Sequence, residues 1–322
     1  MMPFICRTLL LLALASIAGG TLAGEAKDAW LSRYGRDAPL VGQIWSLQDH
    51  RRLDQDQLLA RLKTTDFILL GEKHDNADDH RLQAWLVAAL GGGDRKPVLA
   101  FEMLTRDQAP ALATFLQSGP KDASGLGPAV GWADSGWPDW SLYQPIADAA
   151  LAAHLPIVAA NLSKAELAGL RHGDAAAALG PERASRLGLA SPLPPAQEQA
   201  MDDELGRDHC GMLPAKAMPA MVRVQRARDA ALAEALADHA DKGGGILIAG
   251  GGHVRRDRGV PVVLHRLRPQ ATVASLAFIE APTKATDPDF ADLPFDYVWY
   301  TPRSDDQDAC EKFKDQLQQM KR

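Results

Sequence analysis

An α/β fold, with a mainly parallel sheet flanked by helices and an inserted helical subdomain, is predicted by three features of the sequence. Apolar runs too short for a typical helix recur at Phe67–Leu70, Pro97–Met103, Pro156–Asn161 and Gly245–Ala249, the pattern of strands buried on both faces. Helical periodicity fills the first intervals, and a strand–helix–strand order implies parallel strands joined by right-handed crossovers. From about residue 163 to 240 no strand pattern occurs, only alanine-rich helical stretches broken by glycine and proline.

The chain has 322 residues, enough for one large α/β domain. Its 46% apolar content is that of a globular protein and excludes disorder over most of the length. The formal charge is −6 and no long basic block occurs, which excludes a nucleic-acid-binding role.

The amino terminus differs in kind. Arg7 precedes an apolar run from Thr8 to Ala18 and small residues through Gly24. That is the layout of an export signal over residues 1–23, cleaved after Ala23, which leaves a single domain from 24 to 322. The run is too short for a membrane span, although an uncleaved anchor is the alternative. Cys6 leaves with the signal. Cys210 and Cys310 remain, and in an oxidising compartment they form either one disulfide or two free thiols.

A lead-in with a short helix from Asp54 to Lys63 precedes the first strand. After it, Asn76, Asp78 and Asp79 supply a cap and an acidic first turn. Leu82, Trp85, Leu86 and Ala89 then recur at helical spacing until the glycines at 91–93. Thr105 with Gln108, and Ser163 with Glu166, read as capping boxes, the first opening a helix to about Leu116. Gly119 to Trp140 is a long loop holding Trp132, Trp137 and Trp140, and a helix from Ser141 to His154 follows. Beyond the insertion come a short helix at Val262–Leu267, strands at Thr272–Ile279 and Tyr297–Tyr300, and a charged surface helix from Asp305 onward.

Three of the strands end in the same kind of chemistry. Glu72 and His74 follow the first, Glu102 closes the second, and His253 follows the run at 245–249. In a parallel sheet these groups share one edge, where open α/β folds bind ligands. Two histidines with carboxylates suit a divalent metal ion, or they activate a water with glutamate as base. Arg228 and Asp229 read as an ion pair orienting the helix beneath.

Gly71–His74 and Gly250–His253 are two G-x-x-H motifs, each closing a strand, with Glu102 between them. In this the chain resembles the superfamily of the Tiki and TraB proteins and the erythromycin esterases. The stretches GEKHDN, AFEM, SGWPDWSLYQPI, HCGMLP, QRARDAALA and GGGHVRRDRGVP resemble more narrowly its ChaN-like branch of exported haem-binding proteins of iron uptake. The resemblance runs from Phe67 to Phe278.

It implies haem (haem b) held at the sheet's edge or by a homodimer through the haem face, and exchange of that cargo with a haem-transport component of the periplasm. It also implies, in relatives that are enzymes, hydrolysis by Glu72, His74, Glu102 and His253. The chain departs from lipoprotein members in lacking a lipid-accepting cysteine, so a soluble periplasmic protein is expected. Iron needs an axial His, Tyr, Met or Cys, and the propionates need cationic partners. His209, Cys210 and Met212 cluster on a helix break, and Tyr143 follows the tryptophan loop. His209 and Tyr143 are the expected iron ligands, with Met212 beside them. Arg255, with Arg256 and Arg258, suits the propionates. Each has a plainer alternative: a helix cap for His209, core packing for Met212 and Tyr143, a solvated loop for the arginines.

Overall fold

The computed structural model describes residues 30–240, 243–291 and 293–312. The expected export signal and the chain beyond residue 312 lie outside them. Two short strands, β1 (Ile44–Ser46) and β2 (Arg51–Leu53), precede helix α1 (Gln55–Leu62). Strand β3 (Phe67–Glu72) leads to α2 (Ala77–Gly91), and β4 (Val98–Thr105) to α3 (Ala109–Gln117), α4 (Leu126–Ala129) and α5 (Trp140–Ala152). Strand β5 (Ile157–Asn161) opens into α6 (Lys164–His172), α7 (Ala175–Leu179), α8 (Pro181–Arg186), α9 (Pro195–Asp208) and α10 (Met218–His239). The chain returns through β6 (Gly245–Gly250), α11 (Val260–Leu267), β7 (Val273–Glu280), β8 (Tyr297–Thr301) and α12 (Ala309–Lys312).

The sheet order is β2-β1-β8-β7-β3-β6-β4-β5. From β8 to β5 every neighbouring pair is parallel, while β1 runs antiparallel to both β2 and β8. The sheet is therefore mainly parallel, and the helical insertion falls between β5 and β6. Strands β1 and β2 lie inside the stretch read as lead-in. Each has three residues, and Arg51 and Arg52 are exposed, so no alternation betrays them; pairing with β8 makes them strands.

Period-two alternation explains the unbroken apolar runs. Ile68, Leu70, Leu99, Phe101, Ile246 and Ile248 enter one core layer, beneath α2 and α5. Phe67, Leu69, Val98, Ala100, Leu247 and Ala249 enter the other, beneath α10 and α11. Each face must be apolar because each is covered, and each buried Leu or Ile contributes about 1.5–3 kcal/mol. Ala233, Ala235 and Ala237 are buried along α10 in this second layer and keep that helix close to the sheet.

Sequence caps act where expected. Asn76 accepts from the amides of Asp78 and Asp79, and Ser163 with Glu166 forms a capping box. The Thr105–Gln108 box closes a 3-10 turn at 106–108 that continues into α3. The tryptophan loop holds α4 and a 3-10 turn at 132–134, and Trp132 and Trp140 are buried edge to face in the core. The two cysteines are joined: Cys210 and Cys310 form a disulfide with Cα atoms 5.6 Å apart. Among the described residues no helix is long and apolar enough to cross a membrane.

Candidate functional site

Strand β6 lies between β3 and β4, and Glu72 is in register with Gly250 while Phe101, the residue before Glu102, is in register with Ile248. All three strands point the same way, so their carboxyl ends bring Glu72, His74, Glu102 and His253 together. Gly250 allows this closeness: a Cβ there would stand 2.9 Å from His74 Nε2 and 3.6 Å from Glu102 Oε2.

One half of the cluster is built on Glu72, whose side chain is fully buried. Its Oε1 accepts from Tyr143 at 2.8 Å and faces His74 Nδ1 at 3.0 Å, while Oε2 lies 3.2 Å from His80 Nε2. Burial alone would push this carboxyl up; His80 and His74 outweigh it and hold the pKa at about 2. His74 is raised in turn: burial opposes its charge, and Glu72 and Glu102 prevail. Its imidazole is one-third exposed and packs against Trp137, ring centroids 4.8 Å apart.

The other half is a relay. His253 Nδ1 lies 2.6 Å from Asp229 Oδ1 and Nε2 lies 3.1 Å from Glu102 Oε1. With a carboxylate at each nitrogen the buried ring donates from both; burial opposes the charge, but the two acids lift its pKa to about 10. Glu102, which also accepts from the Gly250 amide at 2.8 Å, is held well below the carboxylate range despite its burial. Asp229 goes the other way, to about 6, because burial outweighs the attraction of His253. Asp229 thus serves His253 rather than an ion pair with Arg228, whose Nε is buried without a hydrogen-bond partner.

A metal centre at Glu72, His74, Glu102 and His253 finds no support in the structure. Among the described residues no group of three or more His, Cys, Asp or Glu side chains is arranged to hold a metal ion. The carboxylates face imidazoles instead of a common point, and both ring nitrogens of His253 are taken, leaving no lone pair to donate.

The other expected residues fall in two places. Tyr143 is fully buried within the cluster, its hydroxyl committed to Glu72, and burial followed by the Glu72 charge pushes its pKa far up. That position is the core, not an open ligand face. His209 and Met212 lie half-buried on the turn after α9. His209 Nδ1 donates to the Leu205 carbonyl at 2.8 Å, and Nε2 takes no part in that bond; His239 and His265 make the same helix-end bond. Arg255 pairs with Asp257 at 2.8 Å and approaches Glu204 of α9 at 3.7 Å. Arg256 faces Asp296, and Arg258 is ion-paired with Glu204 and Asp257. All three arginines therefore have carboxylate partners.

Two members of the site escape a motif reading. His80 packs at a tilt against Tyr143, ring centroids 4.3 Å apart, and backs Glu72; its signal is positional, since His80 and Gln83 occupy the helix face that also buries Val87. Glu204 reaches from α9 to within contact of the space above Gly252, and nothing in its local sequence marks it.

An open, mainly parallel α/β sheet with histidine–carboxylate pairs on the carboxyl edge of three neighbouring strands, partly roofed by a helical insertion, defines the structural class. The chain belongs to the ChaN family, described as haem-binding uptake within the Tiki superfamily, whose profile matches residues 58–264. The fold is similar to that of ChaN of Campylobacter jejuni, a structure described as showing cofacial haem binding: 21% identity, TM-score 0.64, 80% of this chain and 95% of that one covered. The type III effector HopBA1 is a more distant match, at 16% identity and a TM-score of 0.43 over 77% of this chain and 92% of that one. No curated protein matches the chain.

Proposed function

We propose that this chain binds haem and acts in haem or iron uptake as an exported, soluble protein of the periplasm. The supporting observation is membership of a haem-binding uptake family over most of the described residues. A porphyrin needs an axial donor, a flat apolar wall and cations for its propionates. His209 offers its Nε2, Trp137 a half-buried indole beside the cleft, and Arg255 a guanidinium that can exchange Asp257 for a propionate. The bound group supplies an iron centre; the protein's residues hold and orient it. Tyr143 would first have to leave Glu72.

The fit has one steric condition. The cavity between α9 and the strand ends is about 60 Å³, whereas pockets for small-molecule ligands run to about 300–1,000 Å³. A porphyrin therefore lies on the outer edge beside Trp137, or enters once α9 moves. A macrocycle held at an edge leaves apolar surface exposed, which fits self-association through the haem face and hand-over to a haem-transport component. Titrating apoprotein with hemin tests the reading. A Soret band saturating at simple stoichiometry is expected; absence of saturable binding overturns it. Cell fractionation with amino-terminal sequencing tests the location.

The Asp229–His253–Glu102 relay favours a second reading, a hydrolase that activates water at the strand ends. Turnover of ester or peptide substrates that is lost in both His253→Gln and Glu102→Gln would support it.

A further inference from the structure

We propose that α9 is a lid over the strand-end cleft, latched by the Cys210–Cys310 disulfide, so that a dithiol reductant opens the cleft to its ligand. The inference rests on the haem reading only for what passes beneath the lid.

Three observations make the lid. First, the inner face of α9, with Met201, Glu204 and Leu205, closes the cavity above Gly252 and Asp229. Secondly, its packing is slight: Met201, Leu205 and Val222 form a small cluster separate from both layers of the main core. A segment with so little buried apolar contact belongs to the low-stability end of a fold. Thirdly, polar contacts tie it to the loop after β6, from Glu204 to Arg255 and Arg258 and from Gln197 to the Asp257 carbonyl. Positive-φ backbone at Gly188 and at Cys210–Gly211 brackets the segment.

The latch completes a ring around the cleft. Cys210 follows α9 directly and is bonded to Cys310, 100 residues away in sequence. Lys312, two residues further, pairs with Asp75 at 2.8 Å, immediately after His74. Lys73 is tied into the same corner by Glu280 at 3.0 Å and by Ser304 at 2.6 Å. The lid is thus fastened on one side to the loop after β6 and on the other to the loop after β3. Breaking the disulfide frees the second side. The exchange is a two-electron step: a dithiolate attacks the Cys210–Cys310 bond, the donor leaves as its own disulfide, and both cysteines end as thiols.

Hydrogen exchange of the apoprotein, oxidised or reduced with a phosphine, tests the lid without any porphyrin. Amides of residues 195–212 should exchange faster by about tenfold or more on reduction while β3 and β6 keep their protection. Unchanged exchange at 195–212, or loss of protection spread equally through β3 and β6, overturns the latch. The Cys210→Ser/Cys310→Ser double variant repeats the measurement without reductant. Gating is then read with gallium protoporphyrin IX, which the reductant leaves intact. Faster association and release in the reduced protein support the proposal, and equal rates in both states overturn gating. A protein that opens at 195–212 but binds no porphyrin in either state overturns the haem reading and leaves the lid supported.

Discussion

Asp229, in the middle of the long helix α10, holds the imidazole of His253 at 2.6 Å and so couples the helical insertion to the edge of the sheet. Both side chains are buried. Removing Asp229 leaves His253 paired with Glu102 but its buried Nδ1–H without an acceptor, so Asp229→Ala should cost about 3–5 kcal/mol in urea unfolding. Asn keeps an acceptor for Nδ1 and should cost only about 1–2 kcal/mol. Equal losses in the two variants would show that packing, not the hydrogen bond, is what Asp229 supplies.

Stability should fall toward both ends of the pH scale. Glu72 is lowered from 4.5 to about 2 when folded, so its contribution is complete above pH 4.5 and is lost as pH falls through 2. His253 is raised from 6.5 to about 10, so its contribution is complete below pH 6.5 and is lost as pH rises through 10. Asp229, raised from 3.8 to about 6, opposes Glu72 and gives up its share as pH rises from 3.8 through 6. The expected Tm series is thus highest in mildly acid solution and declines between pH 6.5 and 10. His253→Gln should flatten that alkaline decline; a wild-type Tm constant over the same window would contradict the assignment.

The strands that carry the site were legible because each is an unbroken apolar run ending in glycine or glutamate, and burial on both faces leaves such runs no other reading. Convergence of Glu72, Glu102 and His253 followed from parallel order alone. What the side chains do there did not follow. Ligand sets for a metal and paired acid–imidazole contacts have the same composition, and only the third dimension shows Asp229 and Glu102 occupying both nitrogens of His253. Tyr143 was visible as an aromatic on a first helical turn, but its direction, inward to Glu72, depends on how α5 rolls against α2. The disulfide joins the turn after α9 to α12, an approach that no local pattern encodes.

The hydroxyl of Tyr143 is the single hydroxyl donor to Glu72 among the described contacts of that carboxylate. Tyr143→Phe keeps the packing against His80 and Trp132 but removes a hydrogen bond to a charged acceptor, worth about 1.5–3 kcal/mol. Chemical unfolding should show that loss, and the hemin spectrum should stay as in the wild type. A Soret maximum displaced in Tyr143→Phe would mean that the phenol leaves Glu72 to meet iron.

The axial ligand is expected at His209. Its Nδ1 donates to the Leu205 carbonyl at 2.8 Å, which orients the ring and leaves Nε2 clear of that bond. His74 is the rival, but its Nδ1 faces Glu72, its Nε2 packs over Gly250 near Glu102, and both acids favour the protonated ring. A protonated imidazole has no lone pair for iron. His209→Ala should therefore shift the Soret maximum and charge-transfer bands of the hemin complex, while His74→Ala changes stability more than spectrum. The position of His209 next to Cys210 adds a check, because removing the disulfide by Cys210→Ser/Cys310→Ser should alter the hemin spectrum of an otherwise wild-type protein and not that of His209→Ala. An unaltered spectrum in His209→Ala together with a shifted one in His74→Ala would move the iron to His74 and overturn the assignment.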